Sequence, residues 1–261
     1  MRNFILILFV AAACLAFIIT GHLYWERKIE ATVQAARAKV ETSAKQEKET
    51  SQTEAILARA KQLPAAAQAA IKRAVEENRP IRLVIAGSES TPENGGWPER
   101  LKQALDDAYG KGVFHITVHE YDGLTTADAD RQRIAADWAK DKPDLVLLEP
   151  FLLNDNGVVT IDDTLAHIQS IIDQLKSAAP NAVVILQPPN PIYNATYYPR
   201  QVEQLEAFAK ENGYPYINHW PAWPDANSEE LNRYVDPQTD LPTAEGATLW
   251  VDALAKRFID Q

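Results

Sequence analysis

The chain has 261 residues, 46% of them apolar and 24% charged, an ordinary globular composition that excludes a wholly disordered or fibrous protein. Its one cysteine, Cys14, lies in an N-terminal apolar run, so an intramolecular disulfide, a cysteine zinc site and a thiol nucleophile further along are excluded. A formal charge of -10 opposes nucleic-acid binding, because neutralising phosphates needs clustered cations.

The charge is unevenly divided. Residues 1–80 hold 12 Lys+Arg against 8 Asp+Glu, a net of +4, and the remaining 14 against 28 give residues 81–261 a net of -14. The first predicted element explains part of this. Phe4–Thr20, FILILFVAAACLAFIIT, carries no charge, and at ~1.5 Å rise per residue it crosses most of a ~30 Å hydrocarbon core. Tyr24 and Trp25 suit the interfacial aromatic belt. No small-x-small cleavage site ends the run, and Ala11 poorly matches the Leu that a lipoprotein site at Cys14 would want. Residues 1–25 therefore read as an uncleaved single-pass signal anchor, with the membrane as partner. Arg27, Lys28, Arg37 and Lys39 on their own would keep the following domain in the cytoplasm. A short N-terminal tail is usually retained, however, and long domains translocate largely regardless of charge, so an extracytoplasmic domain at the cell membrane is expected.

Residues 26–63 contain no Gly or Pro and are rich in Ala, Glu, Lys and Gln, which predicts a helical stalk. Ile29, Val33, Ala36 and Val40 keep a partial stripe that KQEKETSQT interrupts, so no sustained heptad is expected. Pro64 suits the first turn of a second helix running to about Asn78, and Pro80 closes a linker region of residues 26–79.

From Ile81 short apolar runs alternate with helical stretches. Strands are predicted at Ile81–Ala86, Val113–His119, Leu145–Glu149, Ala182–Leu186 and Pro215–Asn218, and helices at Pro98–Tyr109, Ala127–Lys140, Ile161–Ala179, Pro199–Asn212 and Ala244–Ile259. This order predicts an α/β domain over residues 80–261, a three-layer flavodoxin-like fold with a five-stranded parallel sheet. Ligands of such sheets bind beyond the carboxyl ends of the strands. The loops there read GSESTPENGGW, EYDGLTTAD, EPFLLNDNG, QPPNPIYNATYYP and a long segment beginning NHWPAWPD. Trp97, Trp220, Trp223, Tyr193, Tyr197 and Tyr198 fall in or beside them, where flat rings suit sugar faces. Neither a G-x-x-x-x-G-K-S/T nor a G-x-G-x-x-G loop is present. His115 and His119 share one strand face without a third ligand nearby, so neither a metal nor any other cofactor is expected.

IRLVIAGSEST, EYDGLTT, LLEPFLLNDNG and DLPTAEGATLW, in this order and spacing, resemble the blocks of the GDSL/SGNH hydrolase family over Ile81–Gln261. The resemblance implies a serine nucleophile after the first strand, oxyanion-hole donors at Gly123 and Asn154, and a D-x-x-H before the last helix. The departures fall on the chemistry. Aligning Gly87 and Thr91 with G-D-S-x-T puts Ser88 at the family aspartate and Glu89 at the nucleophile. Shifting by one makes Ser90 the nucleophile and abandons the glycine. In the last block Gln238 stands for the aspartate and Leu241 for the histidine, and neither shuttles protons. A substitute base is His219 at the end of the fifth strand, oriented by Asp240 or Asp236, the plain alternative being a histidine packed beside Trp220 and Trp223. Glu89 is also a candidate base or carboxylate nucleophile, with Glu149 and Asp155 as partners. The implied function is an esterase, or an O-acyl (acetyl) esterase or transferase, acting on cell-envelope carbohydrate; the alternative is an inactive relative that binds envelope polysaccharide or an assembly partner.

Overall fold

The computed structural model describes residues 2–259; residues 1, 260 and 261, the outer limits of the expected first and last segments, lie outside it. The chain forms two units, Met1–Gln52 and Thr53–Gln261. From Arg2 onward the first unit is helical, belonging to α1 (Arg2–Arg59), and its described side chains from Leu8 to Gln52 are exposed. A window of this helix has a mean hydropathy of 1.9, long and apolar enough by length and composition to cross a membrane. Helix formation continues without a break from the apolar run into the Ala/Glu/Lys-rich segment, since nothing between them stops a helix.

The second unit begins inside the predicted stalk. Ile56, Ala60 and Leu63, then Ala67, Ala70, Ile71 and Ala74 of α2 (Ala65–Glu76), are buried against one face of the sheet. The apolar spacing at 67, 70, 71 and 74 is that of a helix with one covered stripe. The linker expected to run to residue 79 thus contributes its second half to the core.

The sheet contains β1 (Ile81–Gly87), β2 (Phe114–Glu120), β3 (Leu145–Leu148) and β4 (Val183–Leu186), all parallel, in the order β2-β1-β3-β4. The two-residue period of β1 splits the core. Ile81, Leu83 and Ile85 pack with Ile71, with Leu101 of α3 (Gly96–Tyr109) and with Trp250 of α9 (Ala244–Phe258). Val84 and Ala86 face the opposite layer: α4 (Thr126–Gln132), α5 (Ala135–Lys140), α7 (Ile161–Ala178) and α8 (Tyr198–Glu211). The expected three layers are therefore present.

Two details differ from expectation. The fifth strand is reduced to one parallel bridge, Leu186↔Tyr216, although Leu186 N–H still donates to Pro215 O at 2.8 Å and Ile217 N–H to Leu186 O at 2.9 Å. Pro215 has no N–H to extend the ladder, and the chain turns into a 3-10 turn at Trp220–Ala222. The sheet has four strands rather than five. The single helix expected over 127–140 is two, because Arg133 adopts φ 57° between α4 and α5. One short helix, α6 (Leu152–Asp155), forms within the third loop.

Candidate functional site

The site lies at the carboxyl ends of β1, β2 and β3. Beneath it is a carboxylate, Glu149, that the chain buries completely. Its Oε2 accepts from Ser88 N–H at 2.7 Å, Ser88 Oγ–H at 2.6 Å and Thr91 Oγ1–H at 3.3 Å, and its Oε1 accepts from Phe151 N–H at 3.0 Å. These bonds tie the loop after β1 to the loop after β3. Gly87 is required for the approach: a Cβ there would lie 2.6 Å from both Glu149 Oε2 and Thr91 Oγ1. Burial pushes the Glu149 carboxyl up to about 7, partly opposed by the donors from Ser88 and Phe151 and reinforced by the charge of Glu89.

Of the three candidate nucleophile residues, Glu89 is the one whose side chain meets Gly123 and Asn154. Its Oε2 accepts from Gly123 N–H at 3.2 Å and from Asn154 Nδ2–H at 3.0 Å. Gly123 holds φ +68° to aim that amide. Ser88 is buried and spends its hydroxyl on Glu149. Ser90 accepts Trp97 Nε1–H on its carbonyl at 2.9 Å and donates its N–H to Ser88 Oγ at 3.3 Å. Its side chain has no hydrogen bond to Gly123 or Asn154 among the described residues.

Asp155 lies away from this cluster. Its carboxylate accepts from Thr126 N–H at 2.9 Å and from the hydroxyls of Thr126 and Thr164, both at 2.5 Å, fastening α6 to the starts of α4 and α7. It is a structural carboxylate with no contact to Glu89 among the described hydrogen bonds.

His219, the candidate substitute base, takes the alternative role of a packed histidine. Its ring is 1% exposed, stacks on Trp250 with centroids 4.2 Å apart, accepts Trp223 Nε1–H on Nδ1 at 2.9 Å, and so must donate Nε2–H to Pro188 O at 2.8 Å. Both nitrogens are occupied, and burial pushes its pKa down to about 3, so the imidazole is a neutral core group. Asp240 makes no bond to it. Asp240 has φ +58°, and its carbonyl accepts Asn190 Nδ2–H at 2.9 Å. Asp236 Oδ1 instead accepts Gln238 N–H at 2.8 Å, inside a turn closed by the Val235↔Pro242 bridge.

That turn brings Leu241 to the site. Two clefts, of about 730 Å³ and about 480 Å³, share Glu89, Ser90, Thr239 and Leu241 as walls. The larger extends along Trp97, Pro242 and Ala247, the smaller along Asn154, Asn156 and Asp240. Sequence reasoning placed Glu149 only as a partner of Glu89; its role beneath the loop was signalled by one acidic residue ending the apolar run Leu145–Leu148.

The family model of GDSL-like lipases and acylhydrolases matches residues 84–249. This chain belongs to the GDSL-like lipase/acylhydrolase family. Solved structures agree on the fold of this GDSL-family chain. A carbohydrate esterase family 3 protein from Talaromyces cellulolyticus is 14% identical with a TM-score of 0.57, covering 68% of this chain and 95% of its own. An acetylxylan esterase from Geobacillus stearothermophilus, solved as a catalytic mutant, is 16% identical with a TM-score of 0.55, covering 69% and 94%. A candidate GDSL-like lipase from Parabacteroides merdae is 12% identical with a TM-score of 0.59, covering 69% and 96%. No curated protein matches the GDSL-family chain.

Proposed function

We propose that the protein is a membrane-anchored, extracytoplasmic GDSL-family domain that binds a carbohydrate or its ester through the family crevice without hydrolysing it. One observation carries this reading: a carboxylate, Glu89, is hydrogen-bonded to Gly123 N–H and Asn154 Nδ2, the two donors that the family resemblance assigns to the oxyanion. Glu89 then stands in the nucleophile position, in the register that keeps Gly87 and Thr91 aligned. An ester carbonyl would have to displace a formal negative charge from the donors that should stabilise its transition state. No histidine lines either cleft among the described residues, with Leu241 on the wall and His219 enclosed. A hydroxyl without a base is a poor nucleophile, and loss of a triad member costs ~10⁴-fold or more. The likeness to carbohydrate esterases supports the kind of ligand, and the long apolar helix supports the anchor.

The test uses the full chain in a non-ionic detergent, treated with a fluorophosphonate probe and separately with an aryl acetate. Neither covalent labelling nor hydrolysis above buffer is expected. Labelling that disappears in Ser90→Ala would make Ser90 a nucleophile and replace this reading with an ester hydrolase.

A further inference from the structure

The two clefts meeting at Glu89 have predominantly acidic walls. Glu89, Glu120, Asp122 and Asp240 line them with a single cation, Arg100, whose Nη1–H is already donated to Thr248 Oγ1 at 3.1 Å. Most of this negative charge is uncommitted. Asp122 makes no hydrogen bond or ion pair among the described residues; Asp240 is bonded only through its main chain, and Glu89 uses only Oε2. Glu120 accepts one bond, from Glu93 N–H at 2.8 Å. Among the described residues no group of three or more His, Cys, Asp or Glu is arranged to hold a metal ion. They surround a space of small-molecule size.

A second feature points to an occupant. Ser90 is 1% exposed and forms part of both walls. Its N–H and C=O are taken by Ser88 and Trp97, whereas its hydroxyl has no partner among the described residues. That hydroxyl is not one of the buried unpaired atoms, so it opens on the cleft as a free donor and acceptor for whatever occupies it.

We propose that this groove selects a hydroxyl-rich ligand carrying a primary ammonium group, an amino sugar with its amine free, and excludes anionic sugars. The inference rests on the binding reading above. The ammonium lies on the larger-cleft side among Glu89, Glu120 and Asp122. The ring rests against Leu241 and Pro242, and sugar hydroxyls reach Ser90, Asn154 and Asp240. A concave surface of net negative charge focuses its field on such a cation, while a uronate or phosphate meets the same field as repulsion. Four carboxylates at the two clefts outweigh the one cation, Arg100.

The experiment is calorimetric titration of the full chain in detergent with glucosamine oligomers and with N-acetylglucosamine oligomers of equal length, at a pH that keeps the amine protonated. The free-amine oligomer is expected to bind about tenfold tighter, the contribution of two partly exposed ion pairs, and to weaken as salt is raised. Glu120→Gln/Asp122→Asn should remove that preference and leave the N-acetylated oligomer unaffected. Glu203→Gln/Glu211→Gln, an equal charge change on α8 away from the clefts, should leave both unaffected. Equal affinities, a preference for the N-acetylated or a uronate oligomer, no binding of either, or equal losses in the two double variants would each overturn the proposal. Aryl-acetate turnover in the same samples judges the non-hydrolytic reading separately.

Discussion

Replacing Glu149 with Gln isolates the energetic cost of the carboxylate beneath the site. Burial raises its pKa from 4.5 to about 7, so the folded state holds the proton more tightly than the unfolded chain does. A folded-state value above the unfolded one contributes stability that is complete below pH 4.5 and is lost as the pH rises through about 7. At ~1.4 kcal/mol per pH unit, this amounts to roughly 3 kcal/mol. Glu149→Gln cannot titrate, and its amide turns a donor toward either Phe151 N–H or the Ser88 and Thr91 donors, so it is destabilised at every pH. Urea denaturation of wild type and variant in detergent, followed by tryptophan fluorescence at several pH values, measures the gap between them. The gap should be widest near pH 4.5 and narrower by roughly 3 kcal/mol near pH 8. A gap independent of pH would refute the argument, since Glu149 would then titrate alike in the folded and unfolded chain.

His219 gives the opposite slope. Its folded pKa of about 3 lies below the unfolded 6.5, so its contribution is present above 6.5 and is lost as the pH falls toward 3; His219→Phe should flatten the acid limb of the stability curve by several kcal/mol. Glu89→Ser should remain unlabelled by fluorophosphonate, because the new hydroxyl gains no base at Leu241 or His219; rapid labelling would reveal a base not accounted for. A chain starting at residue 80 should fail to give a cooperative thermal transition, whereas one starting at residue 53 should retain it. The shorter chain loses Ile71 and its buried neighbours, and leaves Asp144, 4% exposed, without its two bonds from Arg79. Gly87→Ala should destabilise the domain by more than 1 kcal/mol in the same denaturation assay, because the Glu149 side chain that its Cβ would meet is held by four donors.

The alternation from Ile81 onward was readable because each buried strand and each amphipathic helix carries its own period. The failures have local causes. The segment around Pro215 and Ile217 has the apolar character of a strand, but strand pairing depends on which N–H groups are available, and only one bridge results. Residues 56–74 read as stalk and linker helix because Ala-rich helix has high propensity and little hydrophobic signal; their burial is a tertiary fact, made by the sheet face they cover. At the site, the sequence brought Ser88, Glu89 and Ser90 forward together and left their order open. Which of them faces Gly123 and Asn154 depends on a carboxylate sixty residues downstream, at Glu149, that fixes the intervening turn.

The aromatic stack behind the larger cleft gives this domain a spectroscopic handle. Trp97, a wall of that cleft, lies parallel to Trp250 with centroids 4.8 Å apart, and Trp250 in turn stacks on His219, which accepts from Trp223. Indoles at this separation couple their electronic transitions, so the pair should give an exciton couplet in circular dichroism. Both rings are buried, so the couplet reports the packing of the core behind the cleft and should vanish as the domain unfolds. Unfolding of the unmodified chain can therefore be read optically.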